Sequence, residues 1–146
     1  MAKKKTKKKK IPSIKVAKKK AWDAFSRFIR LRDTDPDGYI RCVTCGTPKL
    51  FTQTDAGHWL SRGWTATLFE ESNVHGQCKP CNGFKGGRPD DMERYIATRY
   101  GIDEVERLRA LKHRITKRSW VDYDAIRIEY IAKYDELMES RDALVN

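Results

Sequence analysis

Apolar residues recur at helical spacing near both ends of the chain and at strand spacing in its middle. The first helical stripe consists of Trp22, Phe25, Phe28 and Ile29. Because residues three or four positions apart share one face of a helix, this stripe predicts a helix that begins near Ser13 and packs into the core. The run DTDPDG at 33–38 favours a turn, so we expect the helix to end there.

The middle of the chain, from 39 to 84, is rich in cysteine, glycine and β-forming residues. It contains three strand-like runs, YIRCV, DAGHWL and NVHGQ. From Pro89 onward the pattern is helical again and predicts helices over 90–100, 103–113 and 120 to about 144. The whole pattern predicts an α+β fold, in which a compact centre lies between helices.

The last predicted helix has an apolar face of its own. Its members are Tyr123, Ile126, Tyr130, Ile131, Tyr134, Leu137 and Met138. Their spacing of three to four residues places them on one side of the helix. This face either packs onto the protein's own first helix or forms the seam of a homodimer, and the pattern favours neither.

Positive charge is concentrated at the amino end. The net charge is +11 over 146 residues, and residues 1–20 contain eleven lysines and no acidic residue. Such a run repels itself and buries no apolar surface, so we expect a disordered lysine-rich tail over 1–12 and a single domain over 13–146.

The tail is expected to bind a polyanion, with nucleic acid as the first candidate. Its lysines include Lys7, Lys8, Lys9 and Lys10. A solubilising tail and an electrostatic membrane anchor are the alternatives, since lysine runs also attract acidic lipids. No stretch has the length and apolarity of a membrane span or a secretory signal, so we expect no membrane partner and a cytoplasmic location.

Four cysteines form two Cys-x-x-Cys pairs, Cys42 with Cys45 and Cys78 with Cys81. Two such pairs supply the four thiolates of a tetrahedral structural zinc site. Structural disulfides are not expected in a cytoplasmic protein, and four buried free thiols are the alternative. A zinc ion with four sulfur ligands has no open position, so it would stabilise the fold and take no part in chemistry.

Three further residues accompany the cysteine pairs. They are His58 in DAGHWLSRG, Asn73 in NVHGQC and Asn82 directly after Cys81. The pattern resembles the zinc-bearing HNH (ββα-metal) nucleases, in which a histidine strand precedes Asn-x4-Cys-x2-Cys and then His or Asn. Across roughly residues 40–88 the chain also resembles the NinG (Rap) recombination proteins of lambda-type phages. The CxxCN ending is similar to that of junction resolvases of the endonuclease VII type.

The resemblance implies a fold and an activity. The fold is a small zinc-stabilised HNH-like centre over 39–88, flanked by the N-terminal helix and by a helical C-terminal part over 89–146. The activity is that of a metal-dependent endonuclease that cuts branched DNA, such as Holliday junctions and D-loops, and leaves a 5′ phosphate and a 3′ hydroxyl. The implied partners are DNA and phage or host recombination proteins in the bacterial cytoplasm, and a two-fold junction suits a homodimer.

The resemblance also implies roles for single residues. His58 would be the general base, since imidazole titrates near neutral pH. Asn73 would fix the hairpin and the tautomer of that imidazole. Asn82 would bind the catalytic ion, because an amide oxygen is a hard donor that suits Mg²⁺ or Mn²⁺.

One departure from the family pattern concerns the second oxygen ligand. Most HNH proteins carry an acidic residue directly before the base, where this chain has Gly57. Residues two apart share a strand face, so Asp55 is our candidate for the missing magnesium ligand. Glu70 and Glu71 are the reserves. His75 is a candidate phosphate donor or second metal ligand, or a packing residue.

Several basic and aromatic residues surround the candidate centre. The expected phosphate contacts are Arg62, Lys79, Lys85 and Arg88. Such contacts position a substrate without reading its sequence. Trp59 and Trp64 either stack on unpaired bases or pack in the core.

Two other functions remain open. The first is a zinc-containing module that binds nucleic acid without catalysis, with His58 in a structural role. The second is an HNH nuclease that acts on ordinary duplex DNA. Asn73 and Asn82, together with His58, favour an enzyme, because a binding module has no need of these three residues.

Overall fold

The computed structural model describes residues 8–145. Its elements are α1 Ile14–Arg32, β1 Tyr39–Arg41, β2 Pro48–Leu50, β3 Thr54–His58, β4 Val74–Cys78, α2 Lys79–Asn82, α3 Pro89–Tyr100, α4 Ile102–Lys112 and α5 Trp120–Val145. The mixture of helices and small sheets expected from the sequence is confirmed, and β2 is an additional strand. Of the predicted tail, residues 1–7 with Lys7 lie outside the described residues, and 8–12 contain no helix or strand.

Helix α1 begins and ends where its sequence favours a boundary. The hydroxyl of Ser13 caps the helix by accepting a hydrogen bond from the Val16 N–H at 3.3 Å. Arg30 and Arg32 lie in the last turn, where positive charge interacts favourably with the helix dipole. Asp33 then ends the helix, and its backbone N–H still donates to the Ile29 carbonyl at 3.0 Å.

The main core forms around α1. It consists of Ala24, Phe25, Phe28, Ile29, Ala56, Val74 and Tyr130. Residues of β3, β4 and α5 therefore meet on the apolar side of α1, and the Phe25 ring meets the Tyr130 ring edge-on with their centroids 4.7 Å apart. The apolar face of α5 packs on the protein's own first helix, while Ile131 on the same helix remains exposed. A homodimer stays a prediction.

Two antiparallel hairpins lie beside α1. One pairs β1 with β2, and the other pairs β3 with β4 so that Asp55 faces Gln77 and His58 faces Val74. The carboxyl end of α1 is joined to β4, because Arg32 donates to the Val74 carbonyl at 2.8 Å and Asp33 accepts from the Gly76 N–H at 2.7 Å. These bonds fix the β3–β4 hairpin against the helix.

Helices α3 and α4 form a second core with the loop that follows β3. Its buried residues are Leu60, Met92, Ile96, Val105 and Leu108. Trp59 packs against this cluster, so the segment directly after His58 is anchored on its far side. Over residues 8–145, no helix has the length and apolarity needed to cross a membrane.

Candidate metal centre and active-site cavity

Four thiols meet where β1 and β4 end. The Sγ atoms of Cys42, Cys45, Cys78 and Cys81 all lie within 4.8 Å of one another. A tetrahedral zinc ion with Zn–S distances of about 2.3 Å separates its sulfurs by about 3.8 Å. The Sγ atoms of Cys45 and Cys78 are 3.9 Å apart, so this pair already has the spacing of two zinc ligands.

Cys42 and Cys45 lie on a tight turn, and Cys78 and Cys81 lie where β4 passes into α2. Gly46 donates its N–H to the Cys42 carbonyl at 2.8 Å and has a φ of +72°, a conformation that glycine adopts without strain. The Cys42 sulfur accepts the N–H of Cys78 at 3.3 Å. Burial alone would raise the pKa of Cys42, but hydrogen bonds from Cys78 and Thr44 lower it to about 6. The four cysteines can therefore bind a structural metal such as zinc.

A cavity of about 660 Å³ lies along the free edge of β3. Its walls come from α1, β3, the loop after β3 and the segment that begins at α2. Among the residues predicted from the sequence, it is lined by Asp55, His58, Arg62, Lys79 and Asn82. Five side chains spread over 28 positions of sequence are thus brought to one opening.

Asp55 and Asn82 are neighbours in this cavity. One carboxylate oxygen of Asp55 accepts the amide N–H of Asn82 at 3.2 Å, and the other accepts the Lys79 ammonium at 2.8 Å. Partial burial would raise the pKa of Asp55, but Lys79 and Asn82 lower it below its usual range. The carboxylate is therefore ionised, and rotation of the Asn82 amide would bring a second oxygen beside it. This donor pair fits a hard divalent cation.

Two contacts fix the orientation of the His58 ring. Its ring stacks on Trp22 with the centroids 4.8 Å apart, and its Nε2 lies 3.1 Å from the Leu68 carbonyl oxygen. A carbonyl only accepts, so Nε2 carries the proton. The described residues give Nδ1 no hydrogen-bond partner, and that nitrogen is not buried. Burial and the positive charge of Arg62 lower the pKa of His58 to about 4, which leaves a neutral imidazole at pH 7.

Asn73 is fully buried and clamps the loop that follows His58. Its Oδ1 accepts the Leu60 N–H at 2.8 Å, and its Nδ2 donates to the carbonyls of Leu60 at 3.0 Å and Thr67 at 3.1 Å. All three of these hydrogen bonds go to the backbone of the loop, and none of them joins the amide to the imidazole. The neighbouring Leu68 carbonyl orients the ring, and Asn73 acts by holding the loop that carries Leu68.

Gly57 occupies the position where an acidic residue was expected. A Cβ atom there would collide with the Gln77 side chain on the paired strand. Gln77 is buried and donates to the Thr44 hydroxyl at 3.0 Å and to the Gly87 carbonyl at 2.8 Å, so it cannot easily move away. The space next to His58 is therefore filled by Gln77, and the carboxylate that lines the cavity is that of Asp55.

Glu70 and Glu71, the alternative magnesium ligands, lie away from Asp55. Glu70 pairs with Arg107 at 2.6 Å, and Glu71 pairs with Lys133 at 3.0 Å, away from the β3 cavity. His75 is buried on the other strand, where its Nε2 lies 3.0 Å from the Tyr100 hydroxyl. None of these three side chains lines the cavity that holds Asp55.

The other predicted phosphate contacts lie outside the cavity. Arg88 pairs with Asp91 at 2.7 Å and reaches the Cys81 sulfur at 4.0 Å, so it supports the cysteine cluster. Lys85 is exposed on the loop after Asn82 but does not line the cavity. Lys8, Lys9 and Lys10 are exposed ahead of α1.

The two candidate stacking residues also differ. Trp59 is half-buried in the second core, which supports a packing role. Trp64 is exposed, with its ring edge-on to His113 at a centroid distance of 5.5 Å. Neither tryptophan lines the β3 cavity.

Sequence reasoning missed the wall contributed by α1. Trp22, Ser26 and Arg30 recur every four residues and face the cavity. The Arg62 guanidinium lies over the Trp22 ring, 4.4 Å from its centroid, and Arg30 contributes to lowering the pKa of Asp55. The signal was present, because Ser26 and Arg30 lie on the helix face next to the apolar stripe and Trp22 lies at the edge of that stripe, but only the packing of α1 beside β3 gives these positions a role.

Fold and site together define an α+β chain in which a cluster of four cysteines that can bind a metal lies beside a cavity lined by a carboxylate, an imidazole and an amide. Residues 1–140 match the family model described as Bacteriophage Lambda NinG protein, and the chain belongs to this family.

The curated relatives include the ninG proteins of Salmonella phage P22, 34% identical, and of Escherichia phage lambda, 33% identical, each over 124 residues. These matches cover 84% of this chain and 58% of each relative, so the chain spans little more than half their length. A third, from Escherichia phage 933W, is 32% identical over 124 residues, or 84% of this chain and 59% of that protein. No solved structure matches.

Zinc analysis and substitution of one cysteine test the metal centre. We expect elemental analysis to find about one zinc per chain, and Cys78→Ser to lose the zinc and the cooperative unfolding transition, because a structural zinc site supplies folding free energy. Thr47→Val is the control, since it removes a hydroxyl 3.3 Å from the Cys45 sulfur but keeps all four thiols. A metal-free wild-type protein with an unchanged melting transition would contradict the assignment.

Proposed function

We propose that this chain is a Mg²⁺- or Mn²⁺-dependent endonuclease of the HNH type that hydrolyses phosphodiester bonds in branched DNA. The observation that carries the proposal is the meeting of Asp55, His58 and Asn82 in one open cavity beside the cysteine cluster. A divalent ion held by Asp55 and Asn82 would stabilise the negative charge that builds on the phosphate and on the leaving 3′ oxygen.

The order of the elements agrees with an HNH-like centre. His58 lies on β3, the hairpin partner β4 follows, and α2 with Asn82 begins directly after β4. The cysteine cluster spans the same junction, because Cys78 ends β4 and Cys81 lies in α2. This strand–strand–helix unit is the arrangement that the resemblance to the zinc-bearing nucleases implies.

The tautomer and the fixed orientation of His58 suit a general base, while its low pKa makes it a weaker proton acceptor than free imidazole. Its pKa of about 4 keeps the ring neutral at pH 7, and the bond from Nε2 to the Leu68 carbonyl leaves Nδ1 as the proton acceptor. A water molecule that hydrogen-bonds to Nδ1 would lose its proton to the ring as it attacks the phosphorus. Stacking on Trp22 restricts the ring to one orientation, so the base is positioned before DNA arrives.

Positive side chains surround the cavity and suit a phosphodiester. Arg30, Arg62 and Lys79 line it together. Lys79 forms an ion pair with Asp55, and the Lys79 side chain is largely exposed. If a divalent ion neutralised Asp55, the Lys79 ammonium would be able to contact a phosphate instead. Contacts of this kind bind the DNA backbone and read no sequence.

The basic surface continues from the cavity along α1. At 100° per residue, Lys15 and Lys19 fall on the same side of the helix as Trp22, Ser26 and Arg30. Lys19 pairs with Asp23 at 2.7 Å. This stripe leads back towards Lys8, Lys9 and Lys10, and its lysines offer phosphate contacts between the tail and the cavity. The choice of a branched substrate rests on the resemblance to the NinG (Rap) proteins.

A second candidate function is DNA binding without catalysis. The observation that favours it is the ion pair between Lys79 and Asp55, which already satisfies the carboxylate without a metal ion. In that case the same basic surface and zinc centre would serve only to hold DNA.

Substitution of His58 separates the two candidates. We expect His58→Ala to lower the cleavage rate by about 10²- to 10⁴-fold, because it removes the general base, and to leave zinc content and DNA affinity nearly unchanged. His113→Ala is the matched control, since His113 is an exposed histidine outside the cavity. Single-turnover cleavage of a branched DNA measures both variants. Equal rates for His58→Ala and wild type would remove His58 from the mechanism.

Substitutions at the candidate ion site test its ligands. Asp55→Asn should raise the Mg²⁺ concentration needed for half-maximal cleavage by roughly 10- to 100-fold, since loss of a group that holds a metal weakens its binding on that scale. Asn82→Asp adds a charge at the same reach and should lower the requirement. Asp37→Asn, in an exposed turn, is the control. Identical Mg²⁺ titrations for all four proteins would exclude Asp55 and Asn82 as ligands.

A further inference from the structure

A second cavity, of about 530 Å³, lies against the other edge of the β3–β4 hairpin. It is lined by residues of β1, β4 and α3, by the end of α1 and by the turn at 42–46 that carries the first cysteine pair, and it shares no lining residue with the cavity that holds His58. No residue of β3 takes part in it. The two cavities therefore open on opposite sides of the same hairpin.

Two guanidinium groups of this second cavity are unpaired. Arg41 is exposed, and the described residues give neither it nor Arg99 an acidic partner. Arg99 makes only a loose contact with the Tyr100 ring, 5.7 Å from its centroid. Arg32, by contrast, donates hydrogen bonds to the Asp33 carboxylate and to the carbonyls of Glu71 and Val74. Two free positive charges beside one cavity favour an anionic ligand.

Aromatic rings form another wall of the cavity. Tyr95 and Tyr100 are 36% and 40% exposed, although both rings pack against His75, which is 1% exposed. The Tyr100 hydroxyl lies 3.0 Å from the His75 Nε2, which fixes that ring. The Tyr95 ring meets the imidazole at a centroid distance of 5.0 Å and an angle of 70°. Part of each aromatic surface is thus held rigid and open to solvent.

The combination of free arginines with exposed aromatic rings narrows the class of ligand. The acidic residue that lines the cavity, Asp33, is engaged by Arg32 and by the Gly76 N–H. Aromatic side chains stack on the faces of unpaired bases, whereas the bases of a duplex are covered by their neighbours. The cavity volume lies within the range of small-ligand sites and accommodates a nucleotide.

We propose that this second cavity binds unpaired nucleotides of a single DNA strand, with a base stacked on Tyr95 and adjoining phosphates paired with Arg41 and Arg99. The inference rests on the proposed function only in taking DNA as the polyanion, and it requires no hydrolysis. A DNA that carries a duplex arm next to an unpaired strand would contact both edges of the hairpin. The second cavity would then supply the preference for branched over linear DNA.

Binding without divalent ions tests this site. Fluorescence anisotropy of a labelled thymidine oligonucleotide of about 12 residues, within the site sizes of single-strand binders, is compared with that of a matched duplex. Tyr95→Ala should weaken single-strand binding on the order of tenfold, and Tyr95→Phe should retain wild-type affinity. Arg41→Gln should also lower the salt slope for the single strand by about 0.7, one phosphate contact. Duplex affinity should stay unchanged.

Arg94→Gln is the surface control, because Arg94 lies on α3 outside the cavity and pairs with Asp91 at 2.9 Å. Zinc content and the melting transition check the fold of each variant, and Arg41→Gln on the exposed strand β1 decides the question if Tyr95→Ala does not fold.

Wild-type single-strand affinity in folded Tyr95→Ala and Arg41→Gln would overturn the inference. Equal losses for single strand and duplex would overturn it too, since they indicate a general backbone contact. A wild-type protein that binds the oligonucleotide at Tyr95 but cleaves no DNA would refute the proposed nuclease and leave this site intact.

Discussion

The convergence of four cysteine sulfurs is the constraint on which the rest of the centre depends. Cys42 follows β1, Cys78 ends β4 and Cys81 lies in α2, so one cluster joins both hairpins and the start of α2. The four sulfurs lie within 4.8 Å of one another. Asn82, in the helix that begins directly after β4, lies 3.2 Å from Asp55 on β3. A metal bound by the four sulfurs would hold these segments together and would have no open position for chemistry.

The hydrophobic core completes the cavity from the opposite side. Phe25 and Ile29 bury one face of α1 against the hairpin and α5, which leaves the adjacent face, with Trp22 and Arg30, beside β3. Trp22 then stacks on His58, and burial lowers the pKa of the imidazole. The same packing that stabilises α1 therefore keeps the candidate base neutral and oriented.

Much of this arrangement could be predicted from the sequence, for physical reasons that differ by residue. Apolar spacing located the long helices, since Phe25 and Phe28 must share a face to be buried together. Cys-x-x-Cys spacing located the cysteine cluster, since each pair brings two sulfurs to the same place. Asp55 could be nominated from strand geometry, and it lies beside Asn82. Its role as a metal ligand stays a prediction.

Other features depend on contacts between distant segments, which no local pattern encodes. In the sequence, Arg30 looks like an ordinary charged residue at the end of a helix. Only the packing of α1 beside β3 brings it to the cavity. The loop held by Asn73 orients His58 through the Leu68 carbonyl, a backbone group that carries no sequence signal. The strand β2, with the residues Pro48–Leu50, has neither alternation nor β-branched residues, and pairing with β1 alone gives it its conformation.

We propose that the β3 cavity hydrolyses DNA with the help of a divalent ion. A product assay on the zinc-loaded wild-type chain tests this. An end-labelled four-way DNA junction and a linear duplex of the same sequence are incubated with the protein, with and without Mg²⁺, and ligation identifies the ends of any fragments. The account predicts cleavage of the junction in Mg²⁺ alone, with ligatable 5′ phosphate and 3′ hydroxyl ends. Intact junction and duplex at every Mg²⁺ and Mn²⁺ concentration, with the protein folded and bound to the DNA, would contradict it.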